Sequence, residues 1–325
     1  MEDRVLITGG AGCIGSDLAR ALLRRGAHVT VIDNLSSGKL EHIEDLRNHP
    51  CFRFVEGDLL DQAALDSAID GAHMVWHLAA TPDVKFRTGD ETDKDLKQNT
   101  LCTYNLLETM RLDGIKRLAF ASTSAIYGFP ERQPIAEDAP ARPNSLYGAT
   151  KLSCEAMIGA FQNLFGMDCW ILRFADIVGR KVGKTGRTVI GDFVAQLSEC
   201  PSRLRIPGNG QQARSYLLSE ECVEGMLFVV EHAPRGLQVF NLGCNDSFSV
   251  NRIARMVADA MGLSDVRFEY NGGAGGWPGD VPRFTLDVSA INRLGWRARH
   301  TSEEAVAKTL QAMLAGARTE ELCRS

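Results

Sequence analysis

Tyr147 and Lys151 are four positions apart in Tyr147-Gly-Ala-Thr-Lys151. That spacing puts both side chains on one face of a helix. A phenol titrates near ~10 in water, too high for a good base at neutral pH. An ammonium beside it favours the phenolate and lowers that value. Lys151 is also long enough to hydrogen-bond the ribose of a nicotinamide nucleotide. One residue then supplies a tuned acid/base, and the other tunes it while holding a cofactor. Alone, the pair has a bland alternative, a surface tyrosine and a solvated lysine, because YxxxK arises often by chance.

Residues 120–128 read FASTSAIYG and end a predicted strand. A hydroxyl there, on Thr123 or Ser124, can donate to a substrate oxygen as it changes between alcohol and carbonyl. The alternative is polar satisfaction of a strand end. Upstream, residues 5–16 read VLITGGAGCIGS, with glycines at Gly9, Gly12 and Gly15. Glycines let backbone approach a pyrophosphate, and the helix that follows offers N–H groups and a positive dipole end. The spacing is GxxGxxG, and a tight turn with no ligand would use the same residues. Its place at the first strand–helix junction favours a dinucleotide. Asp33 ends the second predicted strand, where a carboxylate accepts both ribose hydroxyls and repels a 2′-phosphate, which selects NAD over NADP. A turn or helix-cap aspartate is the alternative. Asp58, in VEGDLLD, either meets the adenine amino group or caps the helix beginning near residue 61. Leu78, Ala79 and Ala80, in WHLAA, are small enough at a strand end for backbone to pass close to a cofactor.

These groups need a frame. Strand-like runs fall at residues 5–8, 28–33, 52–56, 74–78, 117–122 and 169–174. Helical patterns fall between them at 16–25, 62–69, 93–112 and 146–165. Strands alternating with helices imply βαβ units and a parallel sheet. The strands are apolar almost throughout, as expected when helices cover both faces. The expected fold is therefore α/β, a Rossmann-type doubly wound parallel sheet. Residues 1–177 form the nucleotide domain, with later segments near 215–245 returning to it. Residues 178–325 are mainly a smaller substrate-binding region. There, helices are expected at 189–197, 220–232, 250–261 and 302–314, the last with Ser302 as N-cap and Glu304 in its first turn. Residues 201–210 read as turns.

TGGAGCIG, Asp33, WHLAA, FASTSAIYG and YGATK together resemble the extended short-chain dehydrogenase/reductase family of NAD-dependent epimerases and dehydratases. The resemblance runs on through SYLLSEECVEGMLF, FNLG, GWPGDV and LGWRARHTSEEAVAKT, nearly the whole chain. It is strongest toward the compact, archaeal-type UDP-galactose 4-epimerases, on HLAATPDV, NSLYGATK and GWPGDV. It implies a catalytic set of Thr123, Tyr147 and Lys151. It groups Gly9, Gly12, Cys13, Ile14, Gly15, Asp33, Asn34, Asp58, Leu59, Leu78, Ala79, Ala80 and Asn99 with Tyr147 and Lys151 around NAD. Dehydratases of the family carry Asp-Glu after the catalytic hydroxyl; here Ser124-Ala125 stands there, which argues against dehydration. The implied reaction is transient oxidation of a sugar carbon to a 4-keto intermediate, followed by hydride return to the opposite face.

On the substrate side the resemblance implies Ser124, Asp176, Arg187, Arg214 and Trp277. Similar epimerases have Asn where this chain has Asp176, and a carboxylate there repels a diphosphate unless it is paired. Arg214, in GNGQQARSY, suits a diphosphate through forked hydrogen bonds. A second arginine usual near Gly279-Asp280 is missing, with Arg283 as its possible substitute. The basic loop at 179–188 carries Arg180, Lys181, Lys184 and Arg187, which suits a uronic carboxylate or is merely solvated. A UDP-hexose or UDP-hexuronic acid is the first expectation, with another nucleotide sugar or a sugar-like alcohol behind it.

The 325 residues are 44% hydrophobic with a net charge of −5. This mild balance lacks the basic face of a nucleic-acid binder. Nine cysteines include no CxxC pair, so no zinc or other metal site is expected. Free thiols, an N-terminus that runs MEDRVLITGG into a strand, and no apolar run of ~20 residues point to a cytoplasmic chain without a membrane partner. Cys13, where relatives usually have Phe, and Cys154 read best as small core packing. Dimerisation through helices 93–112 and 146–165 follows from the resemblance. Two rivals stand beside the epimerase: a net NAD-dependent dehydrogenase using the same triad, and a non-catalytic NAD-binding regulator. Retention of both Tyr147 and Lys151 argues against the second.

Overall fold

The computed structural model describes residues 3–81, 91–179, 188–273, 275–276 and 281–322. Strands β1 (Arg4–Thr8), β2 (His28–Asp33), β3 (Phe52–Glu56), β4 (Met74–His77), β5 (Arg117–Thr123) and β6 (Asp168–Phe174) come first. They alternate with helices α1 (Cys13–Arg24), α2 (Gln62–Ile69), α3 (Cys102–Leu112) and α4 (Leu146–Phe165). Next are β7 (Asp176–Val178), α5 (Val189–Glu199), β8 (Arg203–Ile206), β9 (Ala213–Arg214), β10 (Tyr216–Leu218), α6 (Ser219–His232) and β11 (Leu237–Leu242). The chain closes with β12 (Phe248–Ser249), α7 (Val250–Ala260), β13 (Arg267–Tyr270), β14 (Arg283–Phe284), α8 (Ser289–Leu294) and α9 (Ser302–Leu322).

The central sheet has seven parallel strands in the order β11-β6-β5-β4-β1-β2-β3. Thr8 lies beside Ile32 on one side and His77 on the other. The strand order therefore reverses between β1 and β4, and a crevice opens at their carboxyl ends, where such sheets bind ligands. Alternation along each strand feeds two cores. Val5 and Ile7 enter one, Leu6 the other; Ala119 and Ala121 enter one, Leu118 and Phe120 the other. Period two with apolar residues on both faces is what a sheet buried between helix layers requires.

Three expectations need correcting. The helix expected over 93–112 is divided: a π-type turn at Leu96–Leu101, carrying Asn99, precedes α3. Residues 201–210 are not only turns, because β8 pairs in parallel with β13. Ser302 does not cap α9. Thr301 and Glu304 form a reciprocal capping box, with Glu304 N–H donating to Thr301 Oγ1 at 3.2 Å and Thr301 N–H to Glu304 Oε2 at 2.8 Å. The Ser302 hydroxyl instead donates to Asp246 at 2.6 Å and accepts from Tyr216 N–H at 3.0 Å, tying α9 to β10.

A third core, with Ile190, Phe193, Ile253, Val257, Val306 and Leu310, holds α5, α7 and α9 together. Among the described residues no helix is long and apolar enough to cross a membrane, and no cluster of His, Cys, Asp or Glu could hold a metal ion.

Candidate active site

A cavity of about 330 Å³ occupies the crevice. One wall is the glycine-rich turn, with Gly9, Gly12, Cys13, Ile14 and Gly15. Gly9 has φ +70°, and a Cβ there would sit 2.7 Å from the Ala79 nitrogen; one on Gly15 would sit 2.4 Å from the Gly9 oxygen. Only glycine permits this closeness. Gly12 caps α1 without a side-chain hydrogen bond, which suits an anion at that helix terminus. Cys13 thus lines the cavity and is not core packing, unlike Cys154, which is buried.

Asp33, Asn34, Asp58 and Leu59 line the next wall. Asp33 takes the turn role considered for it and also lines the cavity. Its Oδ2 accepts from Ala11 N–H at 2.9 Å and its Oδ1 from Leu35 N–H at 2.8 Å, so it shapes the turn while facing the cavity. Asp58 does not cap α2; Asp61 does, accepting from the Ala63 and Ala64 N–H groups. Asp58 accepts from Asn34 Nδ2 at 2.8 Å, Gln98 Nε2 at 3.1 Å and Leu60 N–H at 2.9 Å. Burial pushes its carboxyl up, but these hydrogen bonds together outweigh it and hold the pKa below the ordinary value. Leu78, Ala79 and Ala80 complete this side. Asn99 is not a lining residue. Its amide is spent on Thr81 N–H at 2.9 Å and the Thr150 hydroxyl at 3.0 Å, bracing β4 against α4.

At the far end, Tyr147 and Lys151 both face the cavity from α4. Ser145 caps that helix by accepting from Gly148 N–H. A Cβ on Gly148 would lie 2.6 Å from the Ala125 oxygen. The glycine therefore lets the first turn of α4 press onto the 3₁₀ turn Ser124–Tyr127 that follows β5, and Tyr147 comes within hydrogen-bonding reach of Thr123. Lys151 Nζ donates to the Ala121 carbonyl at 2.7 Å and lies over the Phe120 ring. Burial pulls its ammonium down to about 8. The expectation that Lys151 lowers the Tyr147 phenol is not met in this structure. Burial pushes the phenol up to about 12, the Thr123 hydroxyl pulls the other way, and the ammonium is turned toward Ala121.

Reading the sequence missed three features here. Ser122 and Ala121 line the cavity, whereas Thr123, next along β5, lies outside its lining; their place at the end of a strand next to the crevice was the available signal. His77 is buried between the Thr8 hydroxyl at 2.7 Å and the Thr103 hydroxyl at 2.9 Å, and burial, aided by Lys151, drives its pKa to about 3. It is a neutral strut. Ile177 lines the cavity from β7.

Ser124 opens the 3₁₀ turn and does not line the cavity. Asp176 and Arg214 also lie outside its lining, with Asp176 Oδ2 4.0 Å from Arg214 Nε. The strand β7 that begins at Asp176 pairs with β10, just after Arg214, and this brings the two charges together. Arg283 does not converge with Arg214. It is registered beside Ala213, while Phe284 is the residue beside Arg214, so Arg283 points from the other face of that small sheet. Arg187, Trp277, Asp280 and the other cations of the basic loop lie outside the described residues.

The sequence matches the model of the NAD dependent epimerase/dehydratase family over residues 5–243. The UDP-glucose 4-epimerase of Mycolicibacterium smegmatis is 31% identical over 95% of this chain and 97% of its own length. A relative from the archaeon Methanocaldococcus jannaschii is 29% identical over 97% of this chain and all of its own. Among solved structures, the UDP-glucuronic acid 4-epimerase of Bacillus cereus, in complex with UDP-glucuronic acid and NAD, superposes with a TM-score of 0.86. It is 26% identical and covers 96% of this chain and 99% of its own. With a glycine-rich turn, an acidic strand end and a Tyr–Lys pair meeting in one crevice, the chain belongs to the NAD dependent epimerase/dehydratase family.

Proposed function

We propose that this protein is an NAD-dependent nucleotide-sugar epimerase that inverts C4 of a UDP-hexose or UDP-hexuronic acid. The observation that carries this reading is the placement of Tyr147 and Lys151 in the same cavity as the glycine-rich turn and Asp33, with the Thr123 hydroxyl within reach of the phenol. The residues present fit the dinucleotide. The Gly9–Gly15 turn and the α1 terminus would hold the pyrophosphate, Asp33 the adenosine ribose, and Lys151 the nicotinamide ribose. When bound, NAD supplies reversible hydride acceptance at a sugar carbon.

Tyr147 takes the proton of the sugar hydroxyl and returns it, and Thr123 donates to the same oxygen. The half-buried phenol is a poor base as it stands, so a positive charge near it is what the reaction needs; Lys151, one helical turn on, is the residue we assign to give it once its ammonium leaves Ala121. Absence of a carboxylate pair at Ser124-Ala125 supports epimerisation over dehydration. Arg214 is the anion clamp for the substrate diphosphate, and the region after Val178 closes over the sugar. The substrate class follows from relatives named for UDP-glucose, UDP-arabinose and UDP-glucuronic acid.

We place the reaction in the cytoplasm, where the eight described cysteines, none in a disulfide, stay reduced. The exposed apolar residues Leu101, Tyr104, Leu112 and Leu164, on and beside α3 and α4, form the face on which a second copy docks. Turnover of a panel of UDP-sugars, read by product identity, tests the reaction. Retained NAD with no accumulation of NADH supports epimerisation. Stoichiometric NADH release, or no turnover of any nucleotide sugar, overturns it.

A further inference from the structure

Behind the triad lies a buried polar network that the reaction scheme does not use. Glu155 follows Lys151 by one turn of α4 and Tyr147 by two, on the same helix face. It is 7% exposed. Arg173, on β6, grips it with two donors, Nη2 to Oε2 at 2.7 Å and Nε to Oε1 at 3.1 Å. Glu155 also accepts a short hydrogen bond from the Ser122 hydroxyl. Ser122 sits in β5 between Ala121, whose carbonyl receives the Lys151 ammonium, and Thr123, whose hydroxyl lies within reach of the phenol. The guanidinium reaches further. Its Nη1 donates to the Tyr127 hydroxyl at 2.9 Å, and Tyr127 closes the 3₁₀ turn that Thr123 begins. Tyr127 in turn donates to Asn241 of β11 at 2.9 Å.

We infer that Glu155, clamped by Arg173 and Ser122, is a positioning residue for the Tyr147–Lys151 pair: it fixes the register of α4 against the end of β5 and supplies the counter-charge that keeps Lys151 an ammonium. The inference rests on the catalytic reading of that pair. Three facts support it beyond mere stability. The carboxylate bonds the strand residue that lies between the two groups its helix partners touch. It is the one carboxylate among the groups that act on the Lys151 ammonium, the other being Cys154 on the same helix. Around them stand Tyr147 on that helix, neutral His77 on β4 and the Arg173 guanidinium of β6, which is paired with Glu155. Burial drags the ammonium down, and Glu155 opposes that pull. A buried ion pair is weak evidence for stability, since well-packed apolar residues often serve as well, so its retention beneath a catalytic pair asks for another reason.

Two variants test this. Glu155→Gln keeps the shape and one acceptor oxygen but removes the charge and turns the other acceptor into a donor. The double variant Glu155→Leu with Arg173→Met removes both charges and leaves no buried ion unpaired. In both, kcat should fall roughly tenfold, with KM and the NAD dissociation constant within about twofold of the parent, the pattern of a lost transition-state contribution. Competitive acetylation of Lys151 by acetic anhydride, followed against pH by mass spectrometry, reads the amine without turnover. Its midpoint should drop by about one unit in Glu155→Gln, a tenfold rise in the ratio of amine to ammonium, and by less in the double variant, which also loses the Arg173 cation. A double variant that folds with parental kcat and an unshifted Lys151 midpoint overturns the inference and leaves the pair structural. If Glu155→Gln does not fold, the double variant decides alone. If the parent turns over no nucleotide sugar, the proposed reaction fails, while the Lys151 midpoint still decides this point.

Discussion

Lys151 donates to the carbonyl of Ala121 at 2.7 Å, four residues along α4 from a phenol that burial has pushed up to about 12. The ammonium is thus parked on a strand end one residue from Ser122 and two from Thr123. It is itself pulled down by burial, to about 8. The site stores electrostatic tension in both members of its catalytic pair, and each leaves a mark on stability that can be measured.

For Lys151 the folded pKa, about 8, lies below its ordinary value of 10.5. Below pH 8 both folded and unfolded chains carry the charge, and the folded one bears its burial penalty. Between pH 8 and 10.5 the unfolded chain binds more protons at this site, so Lys151 by itself adds about 3 kcal/mol of stability there, against the loss that buried thiols such as Cys102 and Cys169, pushed up to about 12, impose above pH 9. Denaturant titrations of the cofactor-free parent and of Lys151→Met across that window isolate this contribution: the stability advantage of the variant should shrink by about 3 kcal/mol from pH 8 to 10.5. Turnover should be abolished in the variant. A difference between the two proteins that does not change with pH rules out this assignment.

Tyr147 has the opposite sign. Its folded pKa is raised, so its contribution is complete below pH 10 and is lost as pH climbs from 10 to 12. Tyr147→Phe should suppress that alkaline loss. It should also cut turnover by roughly 10²–10⁴-fold, the range expected for losing a general acid–base group, at nearly unchanged melting temperature. Near-parental turnover in the purified variant removes the central role given to the phenol.

Much of this was legible in the residues. Predicted strands 28–33 and 52–56 coincide with β2 and β3, and helix 146–165 with α4, because period and caps agree at each boundary. The glycine turn announced itself through chirality: only glycine takes φ +70° with backbone 2.7 Å from where its Cβ would be. What stayed hidden depends on tertiary partners. Asp58 read as a possible cap; only the packed strand end shows Asp61 capping and Asp58 turned to the cavity. The direction of the Lys151 ammonium needed the position of β5, which helix periodicity does not encode. Asp176 and Arg214 are far apart in sequence and meet only through the β7–β10 pairing.

Asp33 accepts from two backbone N–H groups and lines the cavity. Replacing it should loosen the turn as well as the ribose contact. Asp33→Ser should weaken NAD binding by roughly tenfold, a loss of one charge-assisted hydrogen bond, while raising affinity for NADP relative to NAD. Calorimetry with both dinucleotides checks this; an unchanged ratio shows that Asp33 does not set the choice.

Leu164 is 69% exposed on α4 and Tyr104 47% exposed on α3. A double variant, Tyr104→Glu with Leu164→Glu, should convert a dimer to a monomer in sedimentation velocity, because buried like charges across an isologous face cannot be paired. A parent that sediments as a monomer at micromolar concentration counts against the proposed face.

The Asp176–Arg214 approach at 4.0 Å makes the final prediction. Arg214 is largely buried and Asp176 half-exposed, so the carboxylate partly neutralises the cation that we assign to the diphosphate. Asp176→Asn should leave the hydrogen-bonding shape intact while freeing positive charge. UDP binding should then tighten about threefold to tenfold, the scale of a partly exposed ion pair, and the gain should shrink as salt is raised. Arg214→Met should weaken UDP binding by about 10- to 100-fold, as expected for losing a charged hydrogen-bond donor to phosphate. If the two variants shift UDP affinity in the same direction, Asp176 does not oppose the clamp. If neither shifts it, the diphosphate is held elsewhere.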